Sequence, residues 1–494
     1  MSAAWARHLP DGMEPAGIDL LAQGSLPAAW RAQWRAEPAA PAVRVHGEDG
    51  WLTRGALDER SAAVAGRLHA TGLLRGDRVL LSGVSSAAFV VAHCAAMRAG
   101  YVGVPLNPDY SRREVEVIVA DARPTAALVD NAEIQAWLAQ IDPELVITGP
   151  EVALPEGPPP ALDDLVPSDA ALLPYTSGTT GEPKGALLSH GNLLASAQAV
   201  RMAWRWSASD TLVLALPLFH MHGLGVGLHG TLLTGATAVV MPRFDPNDVV
   251  AAAADATMFF GVPTMYARLV ETNGVSQLSR LRLCVSGSAP LSADLHERVR
   301  SVCGQVVLER YGMTETVMLV SNPYDGERRP GTVGFPLPGI ELVLDETGEI
   351  LVKGPNVFDG YWDRPAATQD AFTSEGWFRT GDIGALDADG YLRIVGRSKE
   401  LIITGGYNVY PREVEDVLRA HPSVDDVAVV GLPSEEWGET VTAFVEVSGA
   451  FDPDELLAWA AARLAPYKRP RQIHRVETLP RNSLGKVVRS ELLM

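Results

Sequence analysis

Between Tyr175 and Gly185 the chain reads Tyr-Thr-Ser-Gly-Thr-Thr-Gly-Glu-Pro-Lys-Gly, a run crowded with hydroxyls and glycines and carrying one lysine. That set of groups suits a polyphosphate. Gly178, Gly181 and Gly185 let the backbone approach an anion closely, while backbone N–H groups, the hydroxyls of Thr176, Ser177, Thr179 and Thr180 and the Lys184 ammonium supply donors. It is not a Walker A loop, because Gly178 and Gly181 are too close together and Lys184 is followed by Gly185 rather than Ser or Thr. A flexible surface loop could have the same composition, so the reading needs support from the rest of the chain.

The elements that must hold this loop follow an α/β pattern. Apolar runs such as Arg78 to Ser82 and Ala126 to Val129 read as buried strands, and they alternate with amphipathic stretches at Ala56 to Ala70 and Arg113 to Asp121. The proline-rich Pro155 to Pro160 reads as a linker before the strand that presents the loop. Glycine and proline punctuate short strands from Gly331 to Gly390, among them Glu349 to Val352, which predicts a small β-rich subdomain. After Gly396 the pattern restarts, with helices from about Pro411 to Ala420 and Asp454 to Leu464 and strands near Val427, Val441 and Ile473. The expected architecture is therefore a large α/β N-terminal domain, residues 1–396, followed by a small α+β domain, residues 397–494.

A chain of 494 residues exceeds what one core supports. Its net charge of −19 opposes nonspecific binding to nucleic acid or to an anionic membrane, so a site for anionic ligands must be locally positive. Cys94, Cys284 and Cys303 are too scattered for a zinc site or a disulfide framework. Thr211 to Met241 lacks Asp, Glu, Lys and Arg and is long enough to span a bilayer, but Pro217, five glycines, His220, His222 and His229 favour a buried strand, turn and helix beside the site. With no apolar h-region at the N-terminus, the expected location is the cytoplasm.

Together with the loop, four later blocks resemble the acyl-adenylate-forming superfamily in order. They are Tyr311-Gly-Met-Thr-Glu-Thr316, Thr380-Gly-Asp382, Gly396-Arg-Ser-Lys399 running into Gly405-Gly-Tyr-Asn-Val-Tyr-Pro-Arg-Glu413, and Pro480-Arg-Asn-Ser-Leu-Gly-Lys486. The resemblance extends upstream through Gly76 to Val79 and the stretch ending at Asn107, leaving about the first forty residues unplaced. It implies an ATP- and Mg²⁺-dependent enzyme that joins a carboxylate to AMP, releases pyrophosphate and transfers the acyl group to CoA. By that resemblance Lys486 bridges the carboxylate and the α-phosphate, Thr314 bonds the α-phosphate, and Glu315 is the Mg²⁺ ligand. Tyr311, beside Gly312 and Met313, stacks on adenine opposite Ser288, Ala289 and Pro290. Asp382 and Arg397 hold the ribose, and the Thr176 to Lys184 loop holds the β- and γ-phosphates. The C-terminal domain becomes a mobile lid with its hinge at Lys399, and Gly405 and Gly406 line the pantetheine arm. A core tyrosine at 311, a helix-terminal charge at Glu315 and an ordinary turn at Gly405 are the plainer readings.

Arg310, directly before Tyr311, puts a guanidinium near the acyl end, where an aliphatic chain gains nothing from it and a second carboxylate gains much. With Pro217 to Leu224, Val285 to Ala289 and Glu309 to Met313, the acyl-binding region resembles the malonyl-CoA synthetase branch of that superfamily. The implied clamp is Arg268 and Arg310 on the distal carboxylate of malonate, with Ser288, Met313 and a histidine, His222 before His220, lining the pocket. A single methyl discriminates only about 10- to 200-fold, so methylmalonate remains a candidate. Alternatives stay open. Arg310 could pair with Glu309 or Asp294, Arg268 could be a solvated helix residue, and the acid could be a short, medium-chain or aryl monocarboxylate. The acceptor could be a separate carrier protein, and a nucleotide-binding module without catalysis is the reading from another class.

Overall fold

A computed structural model describes residues 4–176, 183–434, 436–449, 451–481 and 486–493. The chain forms two compact units, Met1–Leu342 with Val352–Phe378, and Val343–Leu351 with Arg379–Met494.

The first unit carries two sheets. Among the described residues one sheet has nine strands, and at its centre Leu308–Tyr311, Leu283–Ser286, Met258–Gly261, Thr211–Leu214, Thr237–Val240 and Pro41–Val45 lie side by side and parallel. These runs are short and apolar because both faces of a parallel sheet are covered. Phe259, Cys284 and Tyr266 pack there with Val299 of the helix Ala293–Cys303. Four neighbouring strands of this sheet deliver their next residues to the same edge: Ala215 onward, Val262 onward, Gly287 onward and Gly312 onward. Loops at the carboxyl ends of parallel strands are where α/β sheets bind ligands.

The other sheet runs Gly360–Tyr361, Lys184–Ser189, Ala170–Leu172, Val102–Pro105, Arg78–Ser82, Ala126–Val129 and Val146–Thr148, with Tyr175–Thr176 paired to Lys184–Ser189. The strands expected at Arg78 to Ser82 and Ala126 to Val129 are present with those bounds. The amphipathic stretches are the helices Arg54–His69 and Arg112–Ala122, the latter opened by a Ser111 and Glu114 capping box. The unplaced N-terminus contributes the helix Leu26–Ala36, which buries Trp30 and Trp34.

Thr211 to Met241 is a strand, a turn, a π-helical segment His222–Leu228, the helix Thr234 closes, His229–Thr234, and a strand. No described helix is long and apolar enough to cross a membrane. All three cysteines are free and buried, and desolvation pushes the Cys94 thiol up to about 12.

The second unit holds most of the sheet formed by Glu349–Lys353, Phe378–Leu386 and Leu392–Arg397, and all of another formed by Tyr407–Val409, Ile402–Thr404, Gly438–Glu446, Asp426–Ser434 and Gln472–Val476. The helices Pro411–Arg419 and Pro453–Ala461 cover the second sheet, and Val414, Leu418 and Leu456 join Val429 and Val441 in its core. The fold is the expected α/β architecture with a small α+β C-terminal portion.

Candidate active site

The feet of the phosphate loop are fixed by strand pairing: Tyr175 opposes Gly185 and Thr176 opposes Lys184. Ser177, Gly178, Thr179, Thr180 and Gly181 lie outside the described residues. The Tyr175 hydroxyl donates to Asp121 at 2.7 Å, the Trp362 indole donates to the Asp121 carbonyl at 3.2 Å, and Arg364 ion-pairs with the same aspartate at 2.6 Å. One acidic residue thus pins both the strand entering the loop and the segment after Tyr361.

That neighbouring segment supplies a residue the sequence reading missed. Tyr361 pairs with Ala186 on the loop's exit strand, donates its hydroxyl to Glu315 Oε1 at 3.0 Å, and carries Lys184 Nζ over its ring at 5.5 Å. Burial and the Glu315 carboxylate raise its pKa far above the usual phenol range, so it is a donor at any physiological pH. A single tyrosine therefore links the loop lysine to the acidic residue of the Tyr-Gly-Met-Thr-Glu block. The only cue in the sequence was an aromatic doublet, Tyr361 and Trp362, after Gly360.

At the carboxyl edge of the nine-stranded sheet, Arg310 is 5% exposed, and its Nε and Nη2 have no hydrogen-bond partner among the described residues. Desolvation lowers its pKa to about 9, still charged at neutral pH. The guanidinium lies across the backbone of Gly287, where a Cβ would come within 2.4 Å of Arg310 Nε, so a larger residue there would displace the guanidinium. Glu309 offers no partner, since successive strand residues face opposite ways and its Oε1 accepts the Leu291 N–H at 3.0 Å. Asp294 forms no ion pair with Arg310 either.

Ser288 follows Gly287 with φ of 67°, a left-handed conformation that costs a serine roughly 1–3 kcal/mol. In that geometry its Oγ lies 3.3 Å from Nδ1 of His222, whose buried ring stacks 6.4 Å from Phe260. His220 is half-buried, and its Nδ1 accepts the His222 N–H at 3.2 Å. Ala289 is half-buried and Pro290 exposed. Tyr311, Gly312, Met313 and Thr314 are half-buried, and Glu315 is buried. Val317 ends this turn with φ of 58°, and the Asn356 amide donates to the carbonyls of Thr316 and Met318 at 2.8 and 2.7 Å. The strained turn is held from outside.

Arg268 is not brought to Arg310 by any contact. It is exposed at the end of the short helix Pro263–Leu269, with its guanidinium 5.0 Å from the Phe244 ring centroid. The helix does start at the carboxyl end of Met258–Gly261, one strand from Ser288 and two from Arg310.

In the second unit Asp382 and Arg397 are cross-strand partners, with Arg397 Nε 3.1 Å from Asp382 Oδ1. Asp382 is buried and Arg397 half exposed. Gly405 and Gly406, with φ of 57° and 80°, form the tight turn between Ile402–Thr404 and Tyr407–Val409, a backbone that β-hairpins build almost only from Gly, Asn or Asp. Lys399 is exposed in the turn Ser398–Glu400, and Lys486 is half-buried just before the bridge between Arg481 and Val487. No group of three or more His, Cys, Asp or Glu side chains suited to a metal occurs among the described residues. Glu315 is a buried hard carboxylate, the ligand type Mg²⁺ takes alongside nucleotide phosphates and water. A hollow of about 1000 Å³ lined by Asp11, Leu20, Gln198 and Trp206 contains none of these residues, so chemistry rather than cavity size identifies the site.

Comparison with known proteins gives the chain a family. The model of the AMP-binding enzyme family matches residues 30–362, and that of the AMP-binding enzyme C-terminal domain matches residues 413–486. A mitochondrial malonate–CoA ligase, ACSF3 of Mus musculus, is 37% identical over 85% of this chain and 82% of its own. A feruloyl-CoA synthase of an Amycolatopsis species is also 37% identical, over 93% of this chain and 96% of its own. The crystal structure of ATP-bound MatB from Rhodopseudomonas palustris superimposes with a TM-score of 0.89 at 38% identity, covering 95% of this chain and 98% of that one.

Proposed function

Because the chain belongs to the AMP-binding enzyme family, as an acyl-CoA synthetase working through an acyl-adenylate, we propose that its acid is malonate and its product malonyl-CoA. The observation that carries the choice is Arg310, a buried guanidinium with two nitrogens lacking any partner among the described residues. Breaking a buried charge pair costs roughly 3–5 kcal/mol, so a site built this way favours an acid whose second carboxylate completes it. The relatives named malonate–CoA ligases support the same choice. Ser288 and His222 line the pocket beside Arg310, with Met313 at the turn and His220 behind. Arg268 is the proposed second arm. It must leave Phe244 to reach the acid, a rotamer change that costs an exposed side chain little.

The residues then divide the work. Thr176 and Lys184, with Ser177, Gly178, Thr179, Thr180 and Gly181, hold the β- and γ-phosphates of ATP. Tyr311 and Gly312 meet adenine against Ala289 and Pro290, while Asp382 accepts from the ribose hydroxyls and Arg397 donates to the sugar. Glu315, oriented by Tyr361, would hold Mg²⁺, which supplies charge neutralisation on the polyphosphate when bound. Thr314 and Lys486 stabilise the charge that develops as the acid's oxygen attacks the α-phosphorus. For transfer to CoA, the lid, residues 397–494, turns at Lys399, withdrawing Lys486 and bringing Gly405 and Gly406 to the pantetheine arm.

Release of pyrophosphate with malonate, methylmalonate, acetate, octanoate and ferulate tests the choice. Malonate is expected to lead, with methylmalonate within about 200-fold. Octanoate or ferulate outrunning malonate would replace the acid and leave the reaction class standing. The similarity to a feruloyl-CoA synthase is what favours that second reading. Adenylate formation without free acyl-CoA would instead indicate a carrier-protein acceptor.

A further inference from the structure

We infer that Arg489 is a positioning residue that holds Lys486 for adenylate formation and makes the lysine-bearing segment rigid with the first residue beyond Lys399. The inference rests on the assignment of Lys486 made above.

Three residues after Lys486, the Arg489 guanidinium reaches two carboxylates at once: Nη2 lies 2.7 Å from Glu415 Oε1 and Nη1 3.1 Å from Glu400 Oε2. Glu415 is buried in the helix Pro411–Arg419, and the same oxygen accepts the Val429 N–H at 2.8 Å. Arg489 is therefore fastened to the helix and strand that build the core of this portion of the chain. Glu400 directly follows Lys399. The upstream side is fastened separately. Arg481 pairs antiparallel with Val487, the Val488 N–H donates to the Pro480 carbonyl at 2.8 Å, and Arg481 ion-pairs with Asp426 and, at 3.7 Å, with Glu446.

The sequence between these anchors holds Lys486. A lysine has four rotatable side-chain bonds and positions nothing by itself, so the placement of its ammonium depends on the backbone beneath it. The Glu400 contact adds a mechanical consequence. Everything joined to Glu400 moves when the chain turns at Lys399, and Arg489 joins the Lys486 segment to it directly. Rotation is then transmitted to the lysine instead of being absorbed by a slack tail.

A merely structural arginine would depress both half-reactions together, in proportion to folded protein. A positioning residue for Lys486 depresses only the first. Arg489→Met should lower ATP–pyrophosphate exchange with malonate by about 10- to 100-fold, since a misplacement of about 1 Å costs on the order of 10²-fold. Thioester formation from chemically prepared acyl-adenylate and CoA should stay within about 3-fold. Arg489→Lys, which keeps the charge, should recover part of the exchange. Glu400→Gln alters a partly exposed position and keeps the test valid if Arg489→Met does not fold. It should show the same selective loss, about 3- to 10-fold. Equal losses in both half-reactions, or exchange within about 2-fold of wild type in a folded Arg489→Met, would overturn this inference alone. Full adenylation by Lys486→Ala would overturn the assignment of Lys486, and this inference with it.

Discussion

The Arg310 strand of the first unit and the Asp382 hairpin of the second handle the same kind of side chain in opposite ways. Arg310 is buried with two nitrogens unsatisfied among the described residues, whereas Arg397 is half exposed and already sits 3.1 Å from Asp382. In the second pair the guanidinium keeps one face in solvent, so Arg397 can trade part of its contact with Asp382 for a sugar hydroxyl without leaving a charge wholly desolvated. A buried charge without a partner is a standing penalty that the fold tolerates and a ligand can relieve. The first region is thus suited to choosing the acid, and the second to rate and turnover. A third set of buried groups shows why the penalty persists. His93 and His190 are buried and answer desolvation by staying neutral, with pKa values lowered to about 3 and 4, and the ring of His229 is held neutral in the same way. An arginine starts so far above neutrality that burial to about 9 leaves it charged.

If the second unit supplies rate and not choice, Lys486→Ala should lower adenylation by on the order of 10²- to 10³-fold while the malonate to acetate ratio of kcat/KM is unchanged. A shifted ratio would break the division between the regions. The standing penalty at Arg310 predicts that Arg310→Met raises unfolding free energy by roughly 1–4 kcal/mol, read from denaturant midpoints, although it removes a functional group. Arg397→Met should give no such gain.

The histidines sharpen the contrast through pH. Below pH 6.5 the unfolded chain protonates them while the fold keeps them neutral, so the unfolded state binds more protons and stability falls as pH drops from about 6.5 toward 4. At pH 5 a histidine such as His93 should cost about 2 kcal/mol relative to pH 7.5, and none of this term should appear above pH 7.5. Urea midpoints across that range measure it, and a flat profile would mean the rings take up protons in the fold over the same range as in the unfolded chain. Tyr361→Phe has the smallest expected effect. Losing one hydrogen bond to a carboxylate should cost about 10-fold in pyrophosphate exchange and raise the Mg²⁺ concentration needed for half-maximal rate. An unchanged Mg²⁺ requirement would leave Tyr361 a packing residue.

The parallel strands were legible because each is a short apolar run, whereas the pairing of Asp382 with Arg397 was not, since it depends on the register between two strands. Tyr361 was not legible. Its strand has two residues, Gly360–Tyr361, and its role comes from pairing with a distant strand and bonding Glu315, neither of which periodicity encodes. The π-helical turn at His222 was read only as a turn and helix, since glycine-rich apolar sequence does not distinguish helical pitch. Arg310 was legible as a misplaced charge, but the clearance over Gly287 that seats it emerges only in three dimensions. For Arg268 the sequence allowed both a clamp and a solvated helix residue. Its stacking on Phe244 joins the helix Pro263–Leu269 to the segment that follows the strand Thr237–Val240, beyond the reach of local pattern.

The central claim is that Arg310 is reserved for a second carboxylate, and its most direct test is acyl-CoA formation from malonate and acetate by wild type, Arg310→Met and Arg268→Ala under identical ATP, Mg²⁺ and CoA. The account predicts strong malonate preference in wild type, its collapse in Arg310→Met with acetate turnover retained, and a smaller loss in Arg268→Ala. Equal loss of both acids in a folded Arg310→Met, or wild-type preference for acetate, would contradict it.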